Sequence, residues 1–214
     1  MKVGVLGTGD VGRALGKAFV ILGHDVMMGS RTPGNDKATA WAKEMGPRAS
    51  TGTFGEAARF GEVIVLATLG LASEEALRMA GPTAFAGKVV IDTTNPLDFS
   101  KGFPPTLAIG HTDSGGERVQ HLLPDAFVVK AFNTVGNAHM FRPQFPGGPP
   151  DMFICGNDER AKRRVASILE DFDWGAIDLG GIEASRYLEP LCMIWVIHGA
   201  RAGSWNHAFR LLRK

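Results

Sequence analysis

The chain has 214 residues, 44% of them hydrophobic and 21% charged, and its 23 Lys and Arg nearly balance 22 Asp and Glu. That is the make-up of an ordinary globular protein with one sizeable domain, alone or with a small appendage. A formal net charge of +1 excludes the broad basic surface that nucleic acid or an anionic membrane would require, so neither partner is expected.

Five short runs punctuate the first two-thirds of the chain: KVGVLG, HDVMMG, EVIVLAT, KVVIDTT and AFVVKAF. Each is rich in Val, Ile or aromatics and nearly continuous in apolar character, the pattern of parallel strands covered on both faces. Helical patterns fall between them at 11–22, 36–45, 73–79 and 116–122. Strands alternating with helices predict a Rossmann-type, doubly wound α/β fold with a parallel sheet. Residues 1–135 are expected to form a dinucleotide-binding domain, and 136–214 a small, mainly helical C-terminal part.

FRPQFPGGPPD at 141–151 is dense in Pro and Gly and reads as a linker. MFICG, the helical DERAKRRVASILEDF and GAIDLG then make another strand–helix–strand unit. The remainder, 182–214, reads as mainly helical and is almost apolar all round between Leu188 and Ile197. Such a helix must be buried, within the subunit or against a second copy, and a homodimer is expected. Lys130 reads as the end of an apolar strand tipping into solvent, and the basic cluster at 160–164 as a solvated helix face. Trp195 and Trp205 read as core or dimer contacts, and His139 and His198 as packing residues.

The opening carries the most chemistry. Gly7, Gly9 and Gly12 follow the first strand directly and open a helix. Gly7 allows the tight turn, Gly9 lets the backbone approach a pyrophosphate, and Gly12 lets helix and strand lie close. The helix N-terminus offers unpaired N–H groups to the phosphates. At the tip of the second strand, where an acid would read a ribose 2′-hydroxyl, the chain has Ser30 and Arg31. A hydroxyl and a guanidinium suit a 2′-phosphate, so the expected cofactor is NADP(H). The alternative for Arg31 is a solvated turn residue.

His111, Asp113 and Ser114 are too close along one loop to converge as a triad, and Ser114 reads as a helix cap. Cys155 and Cys192 lie far apart without CxxC spacing, which fits a reducing compartment and argues against a disulfide scaffold or a zinc site. The run MKVGVLG lacks the pattern of a signal peptide. A cytoplasmic protein without a metal site is expected.

GTGDVGRALG, LGHDVMMGSR, KAFNT and SRYLEPL together resemble the F420-dependent NADP oxidoreductases and the related reductase domain of the STEAP metalloreductases. The resemblance covers nearly the whole chain. It implies hydride transfer between NADPH and a small-molecule redox acceptor, either coenzyme F420 or a flavin such as FMN or FAD. It places the pyrophosphate at Gly7, Thr8, Gly9, Asp10, Val11 and Gly12, and the 2′-phosphate at Ser30, Arg31 and Thr32. Thr68 and Leu69 are to wall the ribose, and Asn95, Pro96, Asn133 and Thr134 to line the nicotinamide end. Asn133, Thr134 and Arg186 are the candidate catalytic residues; Arg186 meets an anionic part of the acceptor, or pairs with Glu183 or Glu189 on its own helix. Two other functions stand beside this one: reduction of a small carbonyl or imine, and non-catalytic NADP(H) sensing.

Overall fold

The computed structural model describes residues 1–212 and 214. The first half of the chain runs β1 (Lys2–Leu6), α1 (Asp10–Ile21), β2 (Asp25–Ser30), α2 (Asp36–Met45), β3 (Ala49–Thr53), α3 (Phe54–Phe60) and β4 (Val63–Leu66). Then come α4 (Ser73–Ala80), β5 (Val89–Asp92), the short strands β6 (Leu97–Asp98) and β7 (Thr106–Leu107), α5 (Gly115–Leu122) and β8 (Phe127–Lys130). The last elements are β9 (Asp151–Gly156), α6 (Glu159–Asp171), β10 (Gly175–Asp178) and α7 (Ser185–Ala202).

One eight-stranded sheet has the order β10-β9-β8-β5-β4-β1-β2-β3. The strands from β3 to β8 are all parallel, β9 pairs antiparallel with β8, and β10 pairs parallel with β9. The strand–helix–strand unit after the linker therefore extends the same sheet. Strand order reverses between β1 and β4, which opens a crevice beyond their carboxyl ends.

Alternation along the central strands builds two cores. Val3, Val5, Val63, Val65, Ile91 and Val129 pack with Leu15 and Phe19 of α1, Trp41 of α2 and Leu169 of α6. Their neighbours Ile64, Leu66, Val90 and Val128 pack on the other face with Ala57 of α3, Leu77 of α4, Val119 of α5 and Leu188 of α7. Both faces are covered, as the continuous apolar runs require.

Two features depart from the sequence reading. The pair β3–α3 was not expected, because ASTGT holds no large apolar residue. It forms through parallel pairing with β2 and a capping box in which Thr53 accepts from Glu56 N and Glu56 accepts from Thr53 N. The second departure corrects the expected helix at 182–214. The last helix ends at Ala202, because Gly203 adopts the left-handed conformation (φ 60°) and Trp205 turns back over Gly199. Trp195 Nε1 then donates to the His207 carbonyl at 2.9 Å, holding the tail on the helix. Position 213, part of that expectation, lies outside the described residues. The face of α7 bearing Tyr187, Ile194 and Ile197 is exposed on the single chain. Among the described residues no helix is long and apolar enough to cross a membrane.

β1 and α3 lie so close that a Cβ on Gly4 would sit 2.2 Å from the Ala57 carbonyl oxygen, a backbone atom that cannot step aside. Gly4→Ala is therefore expected to destabilise the fold by about 1–3 kcal/mol or more. Urea denaturation would register this as a lower midpoint with an unchanged slope.

Candidate functional site

A cleft of about 840 Å³ lies at the carboxyl ends of the parallel strands. Its walls include Gly7, Thr8, Gly9, Asp10, Val11, Ser30, Arg31, Thr68, Leu69 and Asn95, all expected from the sequence. Gly12, Thr32, Pro96, Asn133, Thr134 and Arg186 do not line it.

The three glycines divide their work. Gly7 has φ 127° and lies against the Ala67 carbonyl, so no side chain fits there. Gly12 faces the Gly7 carbonyl, where a Cβ would stand 2.3 Å from the oxygen. Gly9 differs: its backbone is extended, and no protein atom lies within 4 Å of a Cβ built on it. Nothing in the protein requires glycine at position 9, and the open space before it is cleft. The helix it begins, α1, has no side-chain cap, so its first N–H groups remain available. Asp10 pairs with Arg13 on the same helix, which offsets its charge beside an anion site. These residues fit a pyrophosphate, held by backbone N–H groups and a helix dipole.

At the adenosine end Arg31 is exposed and lies 3.8 Å from Glu75 of α4. A surface pair at that distance holds the guanidinium only weakly. Ser30 is buried, and its hydroxyl donates to the Thr32 carbonyl at 2.6 Å, so its proton is used in shaping the turn. Arg31 is thus the exposed, weakly held donor at this end, with Ser30 and Thr32 forming the turn that presents it.

At the far end the loops after β5 and β8 interlock. Asn95 Nδ2 donates to the Asn133 carbonyl at 2.8 Å, and Asn133 Nδ2 donates to Asn95 Oδ1 and to the Leu188 carbonyl, both at 3.0 Å. Phe132, just before, is held at φ 61°, a conformation costly for a bulky residue, and its burial against Phe172 keeps it there. Asn133 Oδ1 is a buried side-chain oxygen left without a hydrogen-bond partner. This orphaned acceptor lies behind Asn95, the residue of the pair that lines the cleft.

Three sequence expectations are corrected here. Lys130 does not tip into solvent. It is fully buried, with Nζ donating to the Thr94 carbonyl at 2.7 Å and lying 2.8 Å from Asp92 and 2.9 Å from Glu189. Burial alone would drive off its proton; the two carboxylates outweigh that and hold the ammonium well above its ordinary range. Glu189 also accepts from the N–H groups of Gly115 and Gly116, which start α5. Arg186 pairs neither with Glu183 nor with Glu189: its guanidinium grips Glu117 of α5 through Nε and Nη2. That grip lowers the Glu117 carboxyl below its ordinary range. Sequence reading missed this clamp because Glu117 is 69 positions away, closed only by the packing of α5 on α7. Lys162 likewise leaves the expected solvated face; it is buried between Glu159 and Asp178.

Cleft residues not foreseen include Thr93, Thr94, Leu97, Phe99, Leu71 and Asn137. The first two were within the strand run KVVIDTT, and only the strand's end at Asp92 turns them to the cleft. Ser114 does cap α5, accepting from Glu117 N at 3.2 Å. Cys155 and Cys192 are buried, which pushes their thiols up to about 11 and about 12.

Residues 2–96 match the family model described as NADP oxidoreductase coenzyme F420-dependent. The F420-dependent NADP reductase of Methanothermobacter marburgensis is 32% identical over 205 residues, covering 89% of each chain. A solved structure from Arthrobacter sp. FB24, assigned as an F420 dependent NADP-reductase, is 40% identical with a TM-score of 0.95 and covers both chains fully. Metalloreductase STEAP3 of Rattus norvegicus is 30% identical over 191 residues, but the match spans only 36% of that protein.

Two measurements check this geometry. Gly9→Ala should keep its thermal midpoint within about 2 °C, under about 1 kcal/mol for a chain of this size, since its methyl meets only open space. The same methyl should weaken NADPH binding at least about tenfold, or about 1.4 kcal/mol. In the native state neither thiol should react with a colorimetric disulfide reagent near neutral pH; both should react once the chain is unfolded.

Proposed function

The chain belongs to the family of F420-dependent NADP reductases and is an NADP-dependent oxidoreductase, and on that premise we propose that it exchanges hydride between NADPH and a deazaflavin or flavin ring, coenzyme F420 foremost. When bound, NADPH would supply a hydride carrying two electrons, and the reduced acceptor would take its balancing proton from solvent. The chain's own residues bind and orient. The N–H groups of the α1 N-terminus and the turn at Gly7–Gly9 hold the pyrophosphate. Arg31 pairs with the 2′-phosphate in place of Glu75. Asn95 meets the carboxamide end, and Asn133, buried behind it, holds the Asn95 side chain in place.

One observation carries the choice of acceptor. Among the described residues lining the cleft, the ionisable ones are Asp10 and Arg31, and both lie at the phosphate end. Besides Asn95 the walls include Thr93, Thr94, Leu97, Phe99 and Asn137, together with Leu69 and Leu71, whose intervening Gly70 packs against the Asn95 carbonyl. Leu69, Leu71 and Phe99 are apolar and exposed. Reduction of a carbonyl or imine wants a positioned proton donor, and the nearby cations are engaged elsewhere: Lys130 by two carboxylates, Arg186 by Glu117. Hydride transfer between stacked rings needs proximity and apolar walls, which this cleft supplies. Its exposed leucines and Phe99 favour a flat, extended ring system over a small polar substrate.

Purified protein with NADPH, offered F420, FMN, FAD and a panel of small ketones and imines, should lose reduced-nicotinamide absorbance with F420 or a flavin and not with the panel. Turnover confined to the ketones or imines would overturn the acceptor. Replacing Arg31 with Glu removes a charge-assisted hydrogen bond worth about 1.5–3 kcal/mol, so KM for NADPH should rise roughly 10–100-fold. KM for NADH should move much less, and an equal rise for both coenzymes would remove Arg31 from the 2′-phosphate site.

A further inference from the structure

The buried ion cluster sits behind the cleft wall and touches none of the space inside it. Its connections run toward the nicotinamide end from two sides. Asp92 Oδ1 accepts from Thr94 N at 2.9 Å and from Thr94 Oγ1 at 2.7 Å, while Lys130 Nζ donates to the Thr94 carbonyl. Every polar group of Thr94, a cleft residue, is thereby fixed by the cluster. Lys130 is fixed in turn by Glu189 of α7, which α5 holds through two backbone N–H groups. The adjacent residue of α7, Leu188, accepts from Asn133, whose other amide hydrogen goes to Asn95. Two consecutive positions of the last helix thus tie down both loops that meet at Asn95.

We propose that Lys130 and Glu189 are positioning residues for hydride transfer, holding the Thr94–Asn95 wall and the Asn133 amide in the one arrangement that keeps the nicotinamide ring still. This rests on the NADPH reading above. A tie meant only to attach α7 would have no reason to terminate on Thr94 and Asn133. Apolar contacts of Leu188 with the core already attach that helix. The pyrophosphate turn and Arg31 share no bond with the cluster, so it acts on ring placement and leaves coenzyme affinity to the other end of the cleft.

The test is Glu189→Gln in the full chain, with NADPH as the probe. The fluorescence lifetime of the bound reduced nicotinamide reports how rigidly the ring is held, with or without turnover. The variant is expected to bind NADPH within about twofold of the parent. At saturation its nicotinamide lifetime should fall toward that of the free coenzyme. Single-turnover hydride transfer to the acceptor should slow about 10–100-fold, the scale of a misplacement near 1 Å. The double variant Lys130→Met with Glu189→Gln removes one charge of each sign and leaves Asp92 bonded to Thr94; it should behave the same if the single variant does not fold. A lowered thermal midpoint with unchanged lifetime and transfer rate overturns the proposal and makes the cluster a structural tie. Failure of the parent protein to bind NADPH would show before any variant is made, and would overturn the cofactor reading and this inference with it. Binding and ring immobilisation without transfer to any acceptor would overturn the acceptor alone.

Discussion

A lysine with no access to water, flanked by two carboxylates, sets the arrangement of the whole C-terminal side of the cleft. Placing three charges in a protein interior costs several kcal/mol per ion unless each finds close partners. Here Lys130 Nζ donates to the Thr94 carbonyl and lies 2.8 Å from Asp92 and 2.9 Å from Glu189, Asp92 Oδ1 accepts from Thr94, and Glu189 accepts from the first N–H groups of α5. The cluster forms only if β5, β8, α5 and α7 meet in one register. An apolar core tolerates small slides between its layers; this set of directional bonds does not. Its value to the fold is therefore specificity of placement more than net stability.

The opposite end of the cleft works with almost no side chains. Gly7 and Gly12 are required by the protein itself, since each faces a carbonyl at a distance that excludes a Cβ. Gly9 is required by nothing but the space in front of it. That contrast separates glycines that build the turn from the glycine that leaves room for a ligand. The same end leaves α1 uncapped and Arg31 exposed on a weak contact. This end keeps backbone donors and a guanidinium uncommitted, while the far end is locked by interloop hydrogen bonds.

Between the two ends the cleft wall is chemically quiet. Its apolar members Leu69, Leu71 and Phe99 are exposed, and Lys130 and Arg186 nearby are neutralised by carboxylates before they reach it. Such a site fits chemistry in which two cofactors react with one another and the protein supplies distance and orientation. Arg186, a candidate for catalysis from its place in SRYLEPL, is instead part of the seam between α5 and α7.

Local pattern was sufficient for the strand–helix alternation, the glycine turn, the basic tip at Arg31 and the cap at Ser114. Each of these depends on residues within a few positions of one another, whose meaning survives without knowledge of the rest of the chain. The strand β3 was invisible because its residues carry no apolar signal and only pairing with β2 defines it; the capping box that follows it, TFGE, was there to be read. The partners of Lys130, Arg186 and Asn133 could not be read at all. They lie 36 to 69 positions away in the chain, from Thr94 on Lys130 to Glu117 on Arg186, and Glu189 lies farther still from Gly115. A lysine at the end of an apolar strand looks solvated until a helix from the far end of the chain closes over it, because burial and pairing are properties of packed elements and not of neighbouring residues.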